Sequence, residues 1–236
     1  MQSHVPITRL LALAIPFALA GCVKLARESP QLQTYVLGGV SAAAPARATA
    51  GKPSASRGAF RIGLRRVELA SYLFEPAVLI RRGTNQLVIS QFHRWGGDLD
   101  QGINRAVGAY LTDFPRVSAV DVAPWPTRVR HDVLVQLHIS RFEGVADSAA
   151  TQGRVHVMAG WDIIRPFDGK VLVRGITDDL GGTFRVGDYA GLVTALDAGL
   201  VRVARDIGAC LARFPNDSTP PPSCGSALTP TADSGR

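Results

Sequence analysis

The chain has 236 residues, of which 46% are hydrophobic and 7% aromatic, a composition typical of a globular domain and not of a disordered chain. Its formal charge of +7 comes mostly from arginines that are scattered singly or in the two pairs Arg65-Arg66 and Arg81-Arg82. Nucleic-acid surfaces require clustered cations with stacking aromatic residues between them, so no nucleic-acid partner is expected. The charge favours contact with anionic lipid headgroups or an acidic partner, unless it reflects a general arginine bias without a basic patch.

The beginning of the chain has the features of an export signal. Arg9 precedes an apolar run at residues 10–18, which is too short to cross a bilayer as a permanent helix. The run leads into Leu19-Ala20-Gly21-Cys22, which resembles the bacterial lipobox. This resemblance implies cleavage before Cys22, acylation of its thiol and amine, and a mature protein that acyl chains hold to a membrane. The alternative is an ordinary secretory signal in which the cysteine occurs by chance.

Two further features bear on the compartment. Val23, rather than an aspartate, follows Cys22, and by analogy with enterobacterial sorting this favours the periplasmic face of the outer membrane. With Cys22 acylated, Cys210 and Cys224 remain as a pair in an oxidising compartment, where disulfides persist. A bond between them closes a loop of about 15 residues and contributes about 3 kcal/mol in the chain-entropy model. Because the sequence around Cys224 is typical of a disordered tail, the pairing is left open.

The predicted organisation has three parts: a signal peptide at residues 1–21, a folded domain at residues 22–214, and a disordered Pro/Ser-rich tail at residues 215–236. Within the domain, a short strand is predicted at residues 33–37. Residues 41–59 are rich in Ala, Pro, Gly and Ser. This composition cannot bury much apolar surface, so these residues are predicted to form a flexible insert.

Strands account for most of the remaining domain. The strand that begins at Phe60 changes the phase of its apolar alternation near Arg65-Arg66, which predicts a bulge there. Residues 77–81 and 86–92 form a predicted hairpin, because the turn between them contains Gly and Asn. Four further strands are predicted, the last three as an antiparallel meander: residues 117–122, 131–142, 154–164 and 170–176.

Two amphipathic helices are predicted. Asp98 and Gln101 form a capping box for the first, which ends before Pro115 and has an apolar face made of Leu99, Ile103, Ala106, Val107, Tyr110, Leu111 and Phe114. The second begins near Asp188, ends at Pro215 and has an apolar face made of Leu192, Leu196, Leu200, Val203, Ile207, Leu211 and Phe214. The sequence therefore predicts an α+β fold, a two-layer sandwich of a largely antiparallel sheet with both helices packed on one face.

Signals for catalysis are absent from the sequence. It contains no Gly-rich phosphate loop, nucleophile elbow or His-Glu-x-x-His helix, so no catalytic residue and no cofactor is predicted. His138 and His156 have the same parity on neighbouring predicted strands and could approach each other. Without a cysteine or paired carboxylates beside them, solvent-facing residues are expected and no metal site is predicted. Asp178 and Asp179 are assigned to a loop, because two glycines follow them closely, and not to a catalytic pair.

Phe92, His93, Arg94 and Trp95 form an aromatic and basic cluster between a predicted strand and a capped helix. In one interpretation Trp95 closes the end of the domain, while Arg94 pairs with a carboxylate or covers the indole ring. In the other, Phe92, Arg94 and Trp95 form a partner-contact surface. Trp161 continues the apolar face of a strand and is predicted to lie in the core.

Several of these elements together resemble the ABC-type transport auxiliary lipoproteins, in particular their paraquat-inducible protein C type. The resemblance covers residues 22–214 and rests on diffuse patterns: the lipobox at Cys22, Tyr35-Val36-Leu37, the run from Ile62 through Leu69-Ala70-Ser71-Tyr72-Leu73-Phe74-Glu75-Pro76, the cluster at residues 92–95 with its helix, and Gly160-Trp161. The insert at residues 41–59 and the tail that contains Cys224 depart from the family pattern.

The resemblance implies a non-enzymatic accessory subunit that works with a permease, an ATPase and a substrate-binding protein of the MCE type to move phospholipid. Such a subunit is held by lipid at the periplasmic face of the outer membrane, docks the MCE partner and can assemble as a homo-oligomer. The alternative is a lipoprotein that itself carries a lipid or other apolar ligand in a cavity between helices and sheet. An envelope hydrolase is a third hypothesis, which no constellation of residues supports.

Overall fold

The computed structural model describes residues 30–38, 59–126, 128–214 and 224. The predicted signal peptide, Cys22, almost all of the predicted insert and all of the predicted tail except Cys224 lie outside the described residues. The domain bounds and the acylation of Cys22 therefore stay predictions.

The described chain forms ten strands, one 3₁₀ turn and two α-helices. In chain order the elements are β1 (Gln33–Tyr35), β2 (Phe60–Leu64), β3 (Glu68–Leu69), the 3₁₀ turn (Ser71–Phe74), β4 (Ala77–Arg82), β5 (Gln86–Trp95), α1 (Leu99–Leu111), β6 (Val117–Val122), β7 (Val133–Val145), β8 (Gln152–Ile164), β9 (Val171–Asp179), β10 (Thr183–Arg185) and α2 (Tyr189–Ala212). The predicted bulge at Arg65-Arg66 corresponds to the break between β2 and β3. Gly83 has a φ of +56° in the β4–β5 turn, a conformation that favours glycine.

Strand β7 is the centre of the sheet. One edge of β7 pairs with β8 in a long antiparallel ladder. Its other edge pairs in parallel with β2, then β3, then β4. Representative residue pairs of these three ladders are Ile62–Val133, Glu68–His138 and Ile80–Gly144. The remaining strands do not pair with β7. On one side, β6 pairs with β2, β5 pairs with β4, and β1 pairs with β5. On the other side, both β9 and β10 pair with β8.

Both helices begin at an aspartate, but the two caps differ. The Asp188 carboxylate accepts a hydrogen bond from the backbone N–H of Gly191, 2.8 Å away, at the start of α2. The Asp98 carboxylate makes no such bond at the start of α1 and instead accepts from the side-chain amide of Gln101 at 2.8 Å. The predicted capping box therefore forms only as a contact between its two side chains.

Helices α1 and α2 pack against each other and against the same layer of the sheet. The predicted apolar faces of both helices are buried, except that Phe114 is half-buried. Opposite them, β2, β7 and β8 contribute alternate apolar residues to a single core. The α+β class is confirmed. The long ladders are antiparallel, whereas β7 takes three short strands in parallel along one edge, which the sequence pattern did not predict.

One local prediction was wrong. Asp178 and Asp179 do not lie in a loop, because β9 continues through Asp179 and pairs with β8 along its whole length. The sequence left open an approach of His138 to His156. The two do not meet, because the register places His138 opposite Gly160 and His156 opposite Glu143.

Candidate interaction surface

Both described α-helices lie on one face of the sheet. We call the other face, on which no described helix lies, the helix-free face, and it carries most of the polar strand residues. Alternation along β7 places Val135, Leu137 and Ile139 under the helices and directs Gln136 and His138 to the opposite side. An extra residue near Ser140 interrupts the β7–β8 register. Beyond it, Arg141 and Glu143 lie on the helix-free face.

A buried ion pair lies on this face between β4 and β7. Both Arg81 and Arg141 contact Glu143, the first with two nitrogens at 2.5 and 3.1 Å and the second at 3.4 Å. The Glu143 side chain has no solvent exposure, because the arginines and neighbouring groups cover it. Burial raises the pKa of the Tyr72 hydroxyl to about 12, and the Glu143 carboxylate adds to the rise. The pair therefore fixes β4 to β7 where their backbones share only a short ladder.

An apolar groove of about 420 Å³ lies beside this ion pair. We define the apolar groove by the side chains that line it from the 3₁₀ turn, β4 and β5: Tyr72, Phe74, Leu79, Leu87 and Ile89. Leu79 and Ile89 are direct cross-strand partners, so they share the helix-free face. Phe74 is 70% exposed, and Glu75 stands at the rim of the groove. Clustered exposed apolar side chains with a polar rim are typical of an interaction site.

The first described strand is fastened to the body of the domain. β1 runs parallel to β5, and the backbone N–H of Gly96 donates to the carbonyl of Tyr35 at 2.7 Å. The Tyr35 hydroxyl lies 3.0 Å from Nδ1 of His93, whose ring stacks on that of Tyr189 at a centroid distance of 3.8 Å. His93 thus connects β1 to the first residue of α2.

A buried carboxylate holds the residues that follow β1. Asp197, in α2, accepts hydrogen bonds from the Tyr110 hydroxyl at 2.7 Å and from the backbone N–H of Gly38 at 3.1 Å. Burial, together with the bond to Asp197, raises the pKa of Tyr110 above its ordinary value. One side chain therefore joins both helices to the residue that ends the first described segment, just before the predicted insert.

The structure separates the three predicted partner-contact residues. Trp95 is buried and packs near Phe142, with 5.8 Å between ring centroids. It fits the first interpretation, in which it closes the end of the domain, and is not available to a partner. Phe92 and Arg94 are exposed. Trp161 lies in the core as predicted, with its indole N–H directed at the Thr177 hydroxyl 3.3 Å away.

His138 and His156 pair with separate carboxylates. His138 lies 3.0 Å from Glu68, and His156 lies 2.7 Å from Asp178. In the parts of the chain that the structure describes, no group of three or more His, Cys, Asp and Glu side chains could hold a metal ion. These pairs connect neighbouring strands on the helix-free face.

Cys210 and Cys224 form a disulfide bond, with 5.0 Å between their Cα atoms. The bond fixes one residue of the predicted tail beside the end of α2, close to Trp161 and Asp206. Neither of the two described helices has the length and hydropathy that a transmembrane span requires.

The apolar groove was not found from the sequence. Its residues come from the 3₁₀ turn and two strands, and Leu79, Leu87 and Ile89 carry the same pattern as buried strand residues. The sequence feature that could have indicated this surface is Phe74, an aromatic residue in a turn beside Glu75 and Pro76. Only the pairing of β4 with β5, on the side of the sheet without a helix, distinguishes this surface from core.

Comparison with known proteins identifies the class. The sequence model of the ABC-type transport auxiliary lipoprotein component matches residues 39–208. The chain therefore belongs to this family, which confirms the resemblance drawn from the sequence. As a member, it is a membrane-anchored envelope lipoprotein associated with an ABC transport system. No curated protein matches the chain significantly.

Two solved structures are similar in fold. One is a Xanthomonas campestris protein of the DUF330 family, with a TM-score of 0.55, 15% sequence identity, and coverage of 68% of this chain and 89% of that chain. The other is an uncharacterised protein with a TM-score of 0.54, 16% identity, and coverage of 75% and 97%. At these identities the likeness concerns the fold alone.

Proposed function

We propose that this protein is a non-enzymatic, lipid-anchored docking subunit of an MCE-type ABC transport system that moves phospholipid. In this proposal acyl chains on Cys22 hold the domain at the periplasmic face of the outer membrane. The domain binds the MCE substrate-binding protein through the apolar groove on the helix-free face. The observation that carries the proposal is this groove, because membership of the family supplies the transport system and the groove supplies a surface for a protein partner.

The alternative, a lipoprotein that carries a lipid inside the domain, requires a cavity between helices and sheet. The residues that face each other across this layer have no accessible surface: Ile103, Val107, Leu111, Val135, Leu137, Val157, Ala159, Leu196, Leu200 and Ile207. A cavity that admits an acyl chain would leave accessible surface on its lining. The packed layer therefore supports the docking role over lipid carriage.

The experiment is complementation of envelope integrity in a deletion strain, measured as survival in detergent. Phe74→Asp and Ile89→Asp place a charge in the apolar groove, and Cys22→Ala removes the anchor. Each of these variants is expected to be folded and to fail to complement, because a buried unpaired charge opposes docking and a free domain leaves the membrane. Phe167→Asp is the matched control, since Phe167 is 82% exposed in the β8–β9 turn, and it should complement fully.

Full complementation by both groove variants would refute docking through this surface. Native mass spectrometry of the purified protein separates the two functions. Bound MCE protein, with or without further copies of this chain, supports docking, whereas a co-purified lipid beyond the covalent anchor supports carriage.

A further inference from the structure

A second exposed apolar surface lies near the start of the described chain and consists of residues other than those of the apolar groove. Leu32, Val36 and Phe92 are all exposed, with fractions of 70% for Val36 and 39% for Phe92. Single exposed apolar residues are normal on soluble domains. These three lie on the first described strand segment and its neighbour, so they form one patch and not three separate features.

The register places them on one side of the sheet. The parallel β1–β5 register runs from Gln33–His93 to Tyr35–Trp95, with Thr34 opposite Arg94. One further pair before it sets Leu32 beside Phe92. Tyr35 and Trp95 point the other way, towards the core and α2. We call Leu32, Val36, Phe92 and Arg94 the anchor-side patch.

The covalent distance from Cys22 to this patch is short. Ten peptide units separate Cys22 from Leu32, and a fully extended chain of this length spans at most about 36 Å. Apart from Pro30 and Gln31, Leu32 is thus the first described residue that the chain reaches after Cys22.

The charges near the patch are mainly positive. Arg94 is exposed within it, and Arg105 is exposed on α1 near Val36. Lys24 and Arg27 lie between Cys22 and the patch, with one acidic residue, Glu28. Asp98 lies near Val36 and accepts a hydrogen bond from Gln101, and Asp188 lies near the Tyr35 hydroxyl on the opposite side of β1. Cations around apolar side chains are suited to anionic phospholipid headgroups above an acyl layer.

We propose that the anchor-side patch is a membrane-contact surface that lies on the bilayer holding the Cys22 acyl chains. Leu32, Val36 and Phe92 enter the boundary between headgroups and acyl chains, and Arg94 and Arg105 contact anionic phosphates. The second contact fixes the orientation of the domain on the membrane, which a single covalent tether cannot do. The proposal rests on acylation of Cys22.

The experiment uses the full-length acylated protein with one introduced thiol. Cys22 is acylated and Cys210 and Cys224 are bonded to each other, so a new cysteine is the free thiol for a nitrobenzoxadiazole label. Val36→Cys and Leu32→Cys report on the patch, and Phe167→Cys is the matched control. The vesicles contain phosphatidylcholine and phosphatidylglycerol. The emission of a label at residue 32 or 36 should increase several-fold, and doxyl-labelled lipid should quench it. The emission of a label at residue 167 should show neither effect. Removing phosphatidylglycerol should weaken the response.

Equal emission and equal quenching at residues 36 and 167 would overturn the proposal. So would a label at residue 36 that brightens only when envelope proteins are added, because the patch would then be a protein interface. Intact mass measurement confirms acylation in each sample. An unmodified Cys22 would refute the anchor itself, and would thus distinguish failure of the anchor from failure of the patch.

Discussion

At the scale of single residues, the contact between Gly175 and Trp161 illustrates how β9 and β8 depend on one another. The two residues are direct partners in the antiparallel ladder, and both face the core. A Cβ atom at Gly175 would overlap the indole ring. Glycine is therefore required here by the space that Trp161 fills, and not by its backbone conformation.

Gly175→Ala is expected to lower the free energy of unfolding by at least about 2 kcal/mol, because an overpacked site forces the indole or the strand to move. Gly160→Ala on the adjacent strand is the control. A Cβ atom at residue 160 would have the Cβ of His138 as its nearest neighbour, 3.8 Å away, which is an ordinary contact. This control should change stability by less than about 1 kcal/mol. Urea unfolding followed by tryptophan fluorescence measures both, and equal values for the two variants would contradict this account.

The sequence could identify Trp161 as a core residue because an alternating strand pattern carries that information locally. It could not decide between two roles for Trp95. Its burial depends on packing near Phe142, about fifty residues away in the chain, and on the chain turning at Gly96 and Gly97. The same limit applies to Phe92 and Arg94, whose exposure depends on which face of the sheet the helices cover.

At the scale of elements, α2 is the longest helix described and carries the more complete cap. The Asp188 carboxylate binds the backbone N–H of Gly191, whereas Asp98 binds only a side chain at the start of α1.

We expect Asp188→Ala to lower the free energy of unfolding by about 1 kcal/mol, because a helix-terminal donor loses its partner. Asp98→Ala should cost about half as much, since only its charge near the helix terminus and one side-chain contact are lost. Thermal unfolding of the two variants is the measurement, and an equal or larger loss for Asp98→Ala would disagree with the observed caps.

Helix boundaries and strand positions were largely predictable, because capping residues, prolines and apolar periodicity are local signals. The bounds of β6 match its predicted residues, and both helices begin after the predicted aspartates. Strand order was not predictable in the same way. The successive parallel pairing of β2, β3 and β4 with one edge of β7 depends on contacts between distant residues, and no local pattern encodes them.

At the scale of the whole molecule, one face of the sheet contributes to stability and the other offers a surface for binding. The helices and one sheet face enclose a packed core, and the other face carries an ion-paired centre beside the apolar groove. The chain's family membership places it with an ABC transport system in the cell envelope. We infer that the domain acts by binding, since its described interior has no room for a lipid and its groove is open.

The most direct test of this account is site-specific photo-crosslinking in living cells with benzoylphenylalanine at Phe74, in the apolar groove, and at Phe167, the exposed aromatic control. Mass spectrometry of the products should identify the MCE-type substrate-binding protein joined at residue 74 and not at residue 167. Products at residue 74 that contain only lipid, or that match those at residue 167, would contradict the docking role.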